Sequence, residues 1–284
     1  MTFKERDLFS VPGQDRRVMS HWERFLAGEP ETATDVRGPI AESWRRCRHS
    51  AVDHRRDSAP PPLAGDRFAE LRAQRRHLLE ASRPVMAMAR DFLTETGTVM
   101  VLTDADGTVM NMEGDTALRL QNATEAIHLL PGADWSELTC GTNAIGTALA
   151  TGLPIQVHAT EHFCYGIKKW SCSAAVVRDP FDGAILGVVD VSGLESSYSR
   201  HSMAVVVNAA ARIENAFAKI ESENRYRLLE RCLARAPRRG DDLVVVFDRF
   251  GRPIGAGAEL DTALRERGLP VGAAAELRLD ADGL

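Results

Sequence analysis

The chain has 284 residues, a formal net charge of −5, an apolar share of 44% and a charged share of 26%. These values are ordinary for a soluble protein of one or two domains, and the acidic balance gives no global sign of nucleic-acid or anionic-membrane binding. No apolar run approaches the ~20 residues of a membrane helix, and the polar start MTFKERDLF is not a signal peptide, so we expect a cytoplasmic protein without membrane contact.

The first part of the chain is predicted to be an N-terminal helical segment, residues 1–62. Amphipathic patterns predict short helices over 14–28 and 38–49. Three consecutive prolines at 60–62 forbid a helix and mark a boundary. The arginines at 45–48 have acidic neighbours that dilute their charge, so they are interpreted as a solvated helix face rather than a nucleic-acid site.

Residues 63–235 are predicted to form a sensor domain that begins with a long helix and a hairpin. The helix covers about 65–96, and Pro84 is expected to kink it. The hydrophobic period then changes, and the β-rich runs at 98–104 and 108–112 flank the turn signal ADG. This pattern predicts an antiparallel hairpin directly after the helix.

The rest of this domain is predicted to be two helices, three strands and a second long helix. Helices are expected over 115–130 and 140–150, the latter capped by Thr139. The strands are expected at 155–158, 172–178 and 184–191. A long helix over about 198–234 closes the domain. This order indicates an α+β fold, in which one antiparallel sheet has helices on its faces.

A second small unit is predicted at residues 241–284, after the basic, proline-containing linker APRRG. The sequence LVVVFDRFGRPIGAG predicts strand, turn and strand, and a helix follows. We expect a partial PAS-like α/β unit here.

The stretch from Cys140 to Gly193 has the residue types of a small ligand pocket. Aromatic side chains with polar tips suit an enclosed cavity for a partly polar ligand, although core packing explains any single one of them equally well. An acid in the middle of an apolar strand, Asp190, needs a hydrogen-bond partner in a loop or a ligand. The predicted ligand-binding residues are Trp135, Cys140, Asn143, His162, Phe163, Trp170, Cys172 and Asp190.

The cysteines allow a second interpretation. The chain has five, an odd number without a CxxC pair, which suits reduced thiols in a cytosol. Cys140, Cys164 and Cys172 are candidates for a metal or redox cluster with His158 and His162. Cys140 is predicted at a helix N-terminus, where the helix dipole favours a thiolate. The alternative is that these cysteines are small buried apolar residues.

Two enzymatic interpretations stay open but are weaker. His158-Ala-Thr-Glu-His162 matches the H-x-x-E-H pattern of one zinc-peptidase class, which needs both histidines on one helical face. The β-like LPIQV before it and Gly166 after it favour a loop instead. A thiol reductase needs two cysteines within disulfide reach. We therefore expect no enzyme activity, catalytic residue, metal or cofactor.

Five segments carry a resemblance to a known family. They are ESWRRC (42–47), CGTNAIGTALATGLPI (140–155), EHF (161–163), WSCSAAVVRDPFDG (170–183) and ILGVVDVSG (185–193). Together they resemble the N-terminal sensory region of bacterial transcriptional activators of the acetoin/glycerol-catabolism type. The resemblance implies a GAF-like sheet that binds a small effector, such as a short alcohol, diol or ketone, to control transcription.

The resemblance also implies partners. Activators of this type usually work with sigma-54 RNA polymerase and bind DNA, but the chain has no Walker A sequence and no C-terminal helix-turn-helix. Contacts with DNA and sigma-54 polymerase are therefore expected only of regions outside this chain. We interpret the chain as the sensory part of a longer protein, and the alternative is a stand-alone regulator that acts through partners. The apolar stripes of the two long helices predict a homodimer.

Overall fold

A computed structural model describes residues 8–29, 36–235, 246–248, 253–254 and 262, apart from the side chains of residues 233, 235 and 253. The chain divides into two units, Met1–Phe217 and Ala218–Leu284. None of the described helices is long and apolar enough to cross a lipid bilayer.

The first unit is built on a five-stranded sheet in which every neighbouring pair of strands is antiparallel. Its strands are β1 (Thr98–Asp104), β2 (Val109–Gly114), β3 (Ile155–His158), β4 (Trp170–Arg178) and β5 (Ile185–Leu194). Their order is β2-β1-β5-β4-β3, so β5 lies at the centre. Because side chains alternate between the two faces of a strand, one face of β5 carries Val188 and Asp190 and the other carries Val189 and Val191.

Helices cover both faces of this sheet. They are α1 (Asp15–Leu26), α2 (Gly38–His49), α3 (Gly65–Gln74), α4 (Arg76–Phe92), α5 (Leu118–Ala126), α6 (Glu137–Cys140), α7 (Ala144–Thr151) and α8 (His201–Arg235). Helices α1, α2 and α7 share one hydrophobic core with the sheet. On the opposite face, Met100 of β1 lies beneath a groove between α4 and the beginning of α8.

The predicted helix over 65–96 is two helices, and its break is not at Pro84. Helix α3 ends before Arg75, whose φ of −94° and ψ of 14° are outside the helical region. The Arg75 side chain leaves the helix axis to reach Asp104 at 3.3 Å and Asp106 at 3.1 Å. Pro84 lies inside α4. The break between the two helices therefore lies at Arg75, and the expected kink at Pro84 stays a prediction.

The predicted helix over 140–150 is also wrong at its start. Helix α6 ends at Cys140, and Gly141 follows with a φ of 66°. A Cβ at Gly141 would lie 2.9 Å from the Cβ of Phe163, so glycine allows both the left-handed backbone and the close contact. Helix α7 begins only after Asn143, whose side chain accepts a hydrogen bond from the Gly146 N–H at 2.9 Å. Asn143, and not Thr139, is the N-cap.

In the second unit the structure describes the end of α8, over residues 218–235, and a few residues beyond it. Strands β6 (Val246–Phe247) and β7 (Pro253–Ile254) pair antiparallel, with Val246 opposite Ile254. The helix predicted after them lies, apart from residue 262, outside the described residues. A PAS-like unit at 241–284 stays a prediction.

Candidate functional site

A small cavity lies on one face of the sheet, against β4, β5 and the start of α7. Its lining residues are Ile127, Leu129, Trp135, Asn143, Ala144, Ile145, His162, Ile167, Trp170, Cys172, Asp190 and Ser192. Six of these were predicted from the sequence: Trp135, Asn143, His162, Trp170, Cys172 and Asp190. Ser192 and the aliphatic side chains were missed because nothing in their local pattern separates them from ordinary core.

The cavity is tight. Its volume is only about 10 Å³. That is room for about one water molecule. A ligand of three or four carbons therefore requires that lining side chains move, and Ile127, Leu129 and Ile167 lie outside the sheet, where such movement disturbs no strand pairing.

Asp190 is the most unusual residue of the cavity. It is fully buried on β5, where it pairs with Val101 of β1 and Ala174 of β4. Its Oδ2 accepts a hydrogen bond from the Ser192 hydroxyl at 2.5 Å, whereas its Oδ1 has no hydrogen-bond partner among the described residues. Burial raises the pKa of Asp190 to about 7, although the Ser192 bond opposes this rise.

His162 supplies a neutral imidazole to the same cavity. Burial lowers its pKa to about 4, and nearby Lys168 contributes in the same direction. The ring is therefore uncharged at neutral pH. Its Nδ1 lies 3.0 Å from the Ala159 carbonyl oxygen, and in the tautomer that donates this bond Nε2 is a hydrogen-bond acceptor.

Asn143 lines the cavity, but its side-chain amide already makes hydrogen bonds within the protein. The Nδ2 group donates to the carbonyl oxygens of Trp135 at 3.1 Å and Gly141 at 2.8 Å. The Oδ1 atom caps α7 through the Gly146 N–H. Asn143 therefore caps α7. Its role as a ligand contact stays a prediction, because both polar atoms of its side chain are already engaged in hydrogen bonds.

Two predicted site residues are not among those that line the cavity. Phe163 is buried beside Gly141, and its carbonyl oxygen accepts a hydrogen bond from the Trp22 indole at 3.1 Å. Cys140 is buried, and its thiol donates to the Asp134 carbonyl oxygen at 3.3 Å. The structure places both residues in the packed core next to the cavity.

The thiols lack the environment that a redox sensor needs. Burial raises the pKa of Cys47 to about 11 and of Cys164 to about 12, and it raises those of Cys140 and Cys172 as well. Because the thiolate is the reactive form, these groups are poor nucleophiles. The expected helix-dipole effect at Cys140 is wrong, since Cys140 ends α6 instead of beginning a helix.

The H-x-x-E-H pattern does not have the geometry of a zinc peptidase. His158 ends β3, and residues 159–161 form a single 3₁₀ turn, so the histidines do not share a helical face. Glu161 is buried and engaged: its Oε1 accepts from Arg37 Nε at 2.8 Å and its Oε2 from the Ser10 hydroxyl at 2.6 Å. In the described part of the chain, no three His, Cys, Asp or Glu side chains converge as metal ligands.

A sequence profile of the family described as MimR, N-terminal domain, matches residues 15–215. The chain belongs to this family. A 47.3 kDa protein in the thcA 5′ region of Rhodococcus erythropolis is 34% identical over 242 residues, which are 80% of this chain and 53% of that protein. The acetoin dehydrogenase operon activator AcoR of Bacillus subtilis is 28% identical over 227 residues, 80% of this chain and 36% of AcoR.

A further relative is also named as a transcriptional activator. The propane 2-monooxygenase operon activator MimR of Mycolicibacterium smegmatis is 27% identical over 217 residues, covering 76% of this chain and 36% of that protein. The chain thus spans between about a third and about half of the length of these curated relatives. The names of AcoR and MimR point to transcriptional regulation rather than to enzyme activity.

The predicted fold is confirmed by a solved structure. The N-terminal region of Escherichia coli DhaR, crystallised in complex with DhaL, superposes with a TM-score of 0.64 at 19% identity, covering 84% of this chain and 80% of that chain. With the five-stranded antiparallel sheet described above, this establishes an α+β, GAF-like fold for the MimR N-terminal domain of this chain. The resemblance to activators of the acetoin-catabolism type is confirmed as well.

Two motifs of this MimR N-terminal domain meet in a buried polar network that the sequence analysis missed. Arg46 of α2 donates from Nε to Glu137 Oε2 at 2.6 Å, and Thr147 of α7 donates to Glu137 Oε1 at 3.0 Å. Ser43 adds a hydrogen bond to the same carboxylate. The interpretation of the 45–48 arginines as a solvated face is therefore wrong for Arg46. Through Glu137 the network links the segment ESWRRC to the segment CGTNAIGT.

Proposed function

We propose that this chain is the ligand-sensing regulatory region of a bacterial transcriptional activator, and that it binds a small uncharged metabolite in the cavity around Asp190. Short alcohols, diols and ketones are the ligand class. The observation that carries the proposal is a buried cavity with a carboxyl oxygen that has no partner among the described residues, in a chain whose relatives are named activators of acetoin and propane operons.

The chemistry of the cavity supports binding rather than turnover. A buried polar atom without a partner costs about 1–3 kcal/mol, which a hydrogen-bonding guest recovers. Trp135, Trp170 and aliphatic side chains supply apolar walls, and Asp190 and His162 supply the few polar contacts that orient a small ligand. The raised pKa values of the thiols oppose the alternatives of a redox sensor and a thiol reductase.

Ligand binding changes the state of the domain because the cavity must widen. Strand β5 carries Asp190 and leads, through the 3₁₀ turn at 195–197, to the beginning of α8. A ligand that favours the widened arrangement biases the position of these elements. A preference of about 1–3 kcal/mol for one of two arrangements is enough for regulation.

We propose a homodimer through the helical face of the first unit. The groove between α4 and the first turns of α8 has a volume of about 440 Å³. Apolar side chains remain exposed along it, with Phe92 at 72%, Val205 at 41% and Met88 at 37% of full exposure. A second copy packed helix to helix would cover them in a four-helix arrangement.

The remaining functions belong to the proposal for the whole protein. DNA binding and contact with sigma-54 polymerase are assigned to regions outside this chain, as is usual for activators of this type. The N-terminal region of DhaR forms a complex with the protein DhaL, so a protein partner is a further route by which such a domain is controlled. Free cysteines throughout the described residues support a cytoplasmic location.

The test is a thermal-shift measurement with acetoin, butane-2,3-diol, acetone and propan-2-ol. A ligand that binds only the folded form stabilises it by mass action, by about 2.7 kcal/mol at a hundred times its Kd, so Tm rises with ligand concentration. Trp170→Ala should abolish the rise and leave the oligomeric state unchanged. Tyr165→Ala is the matched control, because Tyr165 is 61% exposed and does not line the cavity.

Two results would contradict the proposal. One is that none of the four compounds raises Tm at millimolar concentration. The other is that Trp170→Ala folds and responds as well as Tyr165→Ala does. Should Trp170→Ala fail to fold, the milder Trp170→Phe serves in its place.

A further inference from the structure

The cavity presents a buried acid without a compensating positive charge. Asp190 is fully buried, its Oδ2 is taken by Ser192, and its Oδ1 lacks a partner among the described residues. The described residues that form the cavity wall include neither Lys nor Arg. An ionised carboxylate here would be buried without an opposite charge, which is strongly unfavourable.

The groups that face Asp190 are few and neutral. On β4 the titratable neighbour is Cys172, whose pKa is raised by burial, so its thiol is uncharged at neutral pH. Across the cavity the neighbour is His162, uncharged because burial lowers its pKa. Strand β1 places Val101 opposite Asp190, and α7 contains no titratable residue.

Resting on the proposed function, we infer that Asp190 selects the ligand as a protonated acid, donating a hydrogen bond from its free oxygen to an uncharged carbonyl or hydroxyl oxygen of the guest. His162 Nε2 accepts a hydrogen bond from a ligand hydroxyl. A hydroxyketone or a diol satisfies both groups. A carboxylate of the same shape is rejected, because it would bury a negative charge in a cavity whose described wall contains no cation.

This assignment makes ligand binding depend on pH in one direction. The complex keeps the proton on Asp190, so binding is strongest below the pKa of the free site, about 7. Above that pH the free protein has lost the proton and must take one up on binding. The apparent Kd then rises towards tenfold for each further pH unit.

The experiment compares two matched pairs of probes on the full chain by titration calorimetry. Hydroxyacetone is paired with glycolate, and acetone with acetate, because the members of each pair differ in charge more than in size. For the wild-type protein, hydroxyacetone should bind at least tenfold more tightly at pH 6 than at pH 8.5, with proton uptake at the higher pH. Glycolate and acetate should not bind at either pH.

Two variants separate the role of the proton from that of the side chain. Asp190→Asn keeps a hydrogen-bond donor and cannot titrate, so it should bind hydroxyacetone with the same Kd at both pH values. Ser192→Ala removes the bond that lowers the pKa of Asp190, so its binding profile should shift to higher pH. This second variant keeps the test decisive if Asp190→Asn does not fold.

The outcomes distinguish this inference from the proposed function. Binding of hydroxyacetone with a pH-independent Kd in the wild-type protein, or equal binding of glycolate, overturns the inference and leaves the sensor proposal intact. Failure of every probe to bind overturns both. A pH dependence that persists unchanged in Asp190→Asn assigns the proton to another group and also overturns the inference.

Discussion

Two kinds of buried carboxylate occur in this molecule: those paired with an arginine, and one without a positive charge nearby among the described residues. Glu161 and Glu137 each meet an arginine at hydrogen-bond distance and accept further bonds from hydroxyl groups. Among the described residues, Asp190 meets one serine and no cation. The paired glutamates connect segments that are distant in sequence. The carboxyl group of Asp190 keeps one oxygen without a partner among the described residues, which suits the binding of an uncharged ligand.

The electrostatics follow the same division. For Glu161 burial opposes ionisation, but the Arg37 charge and its hydrogen bonds still hold the pKa below the ordinary value. For Asp190 burial is the largest influence, and it raises the pKa to about 7. The glutamate is charged at neutral pH, whereas the aspartate lies near the middle of its titration. Three substitutions test this difference between the carboxylates.

The largest effect is expected from Arg37→Ala. Both partners of the Arg37–Glu161 pair are nearly buried, with side-chain exposures of 10% and 8%. Removing one partner of such a pair leaves an uncompensated charge and costs about 3–5 kcal/mol of unfolding free energy. Urea denaturation at pH 7 measures this loss. Arg90→Ala is the control, because Arg90 is 65% exposed and the loss of its pair with Glu113 should change stability far less.

The same pair predicts the response to acid. The folded pKa of Glu161 lies below its unfolded value, so the pair contributes its full stability above the unfolded pKa and loses it as pH falls through the folded pKa. Arg37→Ala should flatten this acid limb. An unchanged acid limb would contradict the assignment of Arg37 as the group that holds Glu161 ionised.

A smaller loss is expected from Arg46→Ala. Its partner Glu137 is buried, but Arg46 itself is 38% exposed, so water replaces part of the lost interaction. Ser43 and Thr147 continue to donate to the carboxylate. The expected cost is about 1–2 kcal/mol by urea denaturation. Arg46→Lys keeps the charge without the two-pronged contact and should fall between wild type and Arg46→Ala; a cost equal to that of Arg37→Ala would refute the distinction.

The effect expected from Asp190→Asn is of a different kind, because it depends on pH. The folded pKa of Asp190 is about 7 and the ordinary value is 3.8, so between these pH values the folded chain keeps a proton that the unfolded chain releases. Stability from this group therefore declines as pH rises through that window. The variant should gain on wild type by about 1 kcal/mol per pH unit there. A difference that does not vary between pH 4.5 and 6.5 would contradict the buried, uncompensated acid.

The sequence predicted secondary structure well where neighbouring residues alone determine it. Helix α2 has the predicted bounds, Gly38–His49, because an amphipathic stripe with proline in its first turn specifies a helix by itself. The breaks at Arg75 and Gly141 were missed because the contacts made there are with residues distant in sequence. Arg75 pairs with Asp104, and Gly141 lies against Phe163.

Some residues of the candidate site could likewise be recognised from their local sequence, and others could not. Asp190 was identifiable because an acid in the middle of an apolar strand is anomalous in its own context. The pairs Arg37–Glu161 and Arg46–Glu137 were not identifiable, since their members are separated by 124 and 91 positions and nothing local distinguishes them from surface charges. Cys140 was misjudged for a related reason: whether it begins or ends a helix depends on the tertiary contact of Gly141.

The indole groups of the first two helices have a practical consequence. Trp44 donates to the carbonyl oxygen of Glu161 at 2.8 Å and Trp22 to that of Phe163 at 3.1 Å, so the backbone on both sides of His162 is tethered from the N-terminal helices. A shortened protein that begins at residue 63 would keep every strand of the sheet and lose both tethers. The segment around His162 would then be free to move, so a shortened protein that keeps this segment in place should begin ahead of α1.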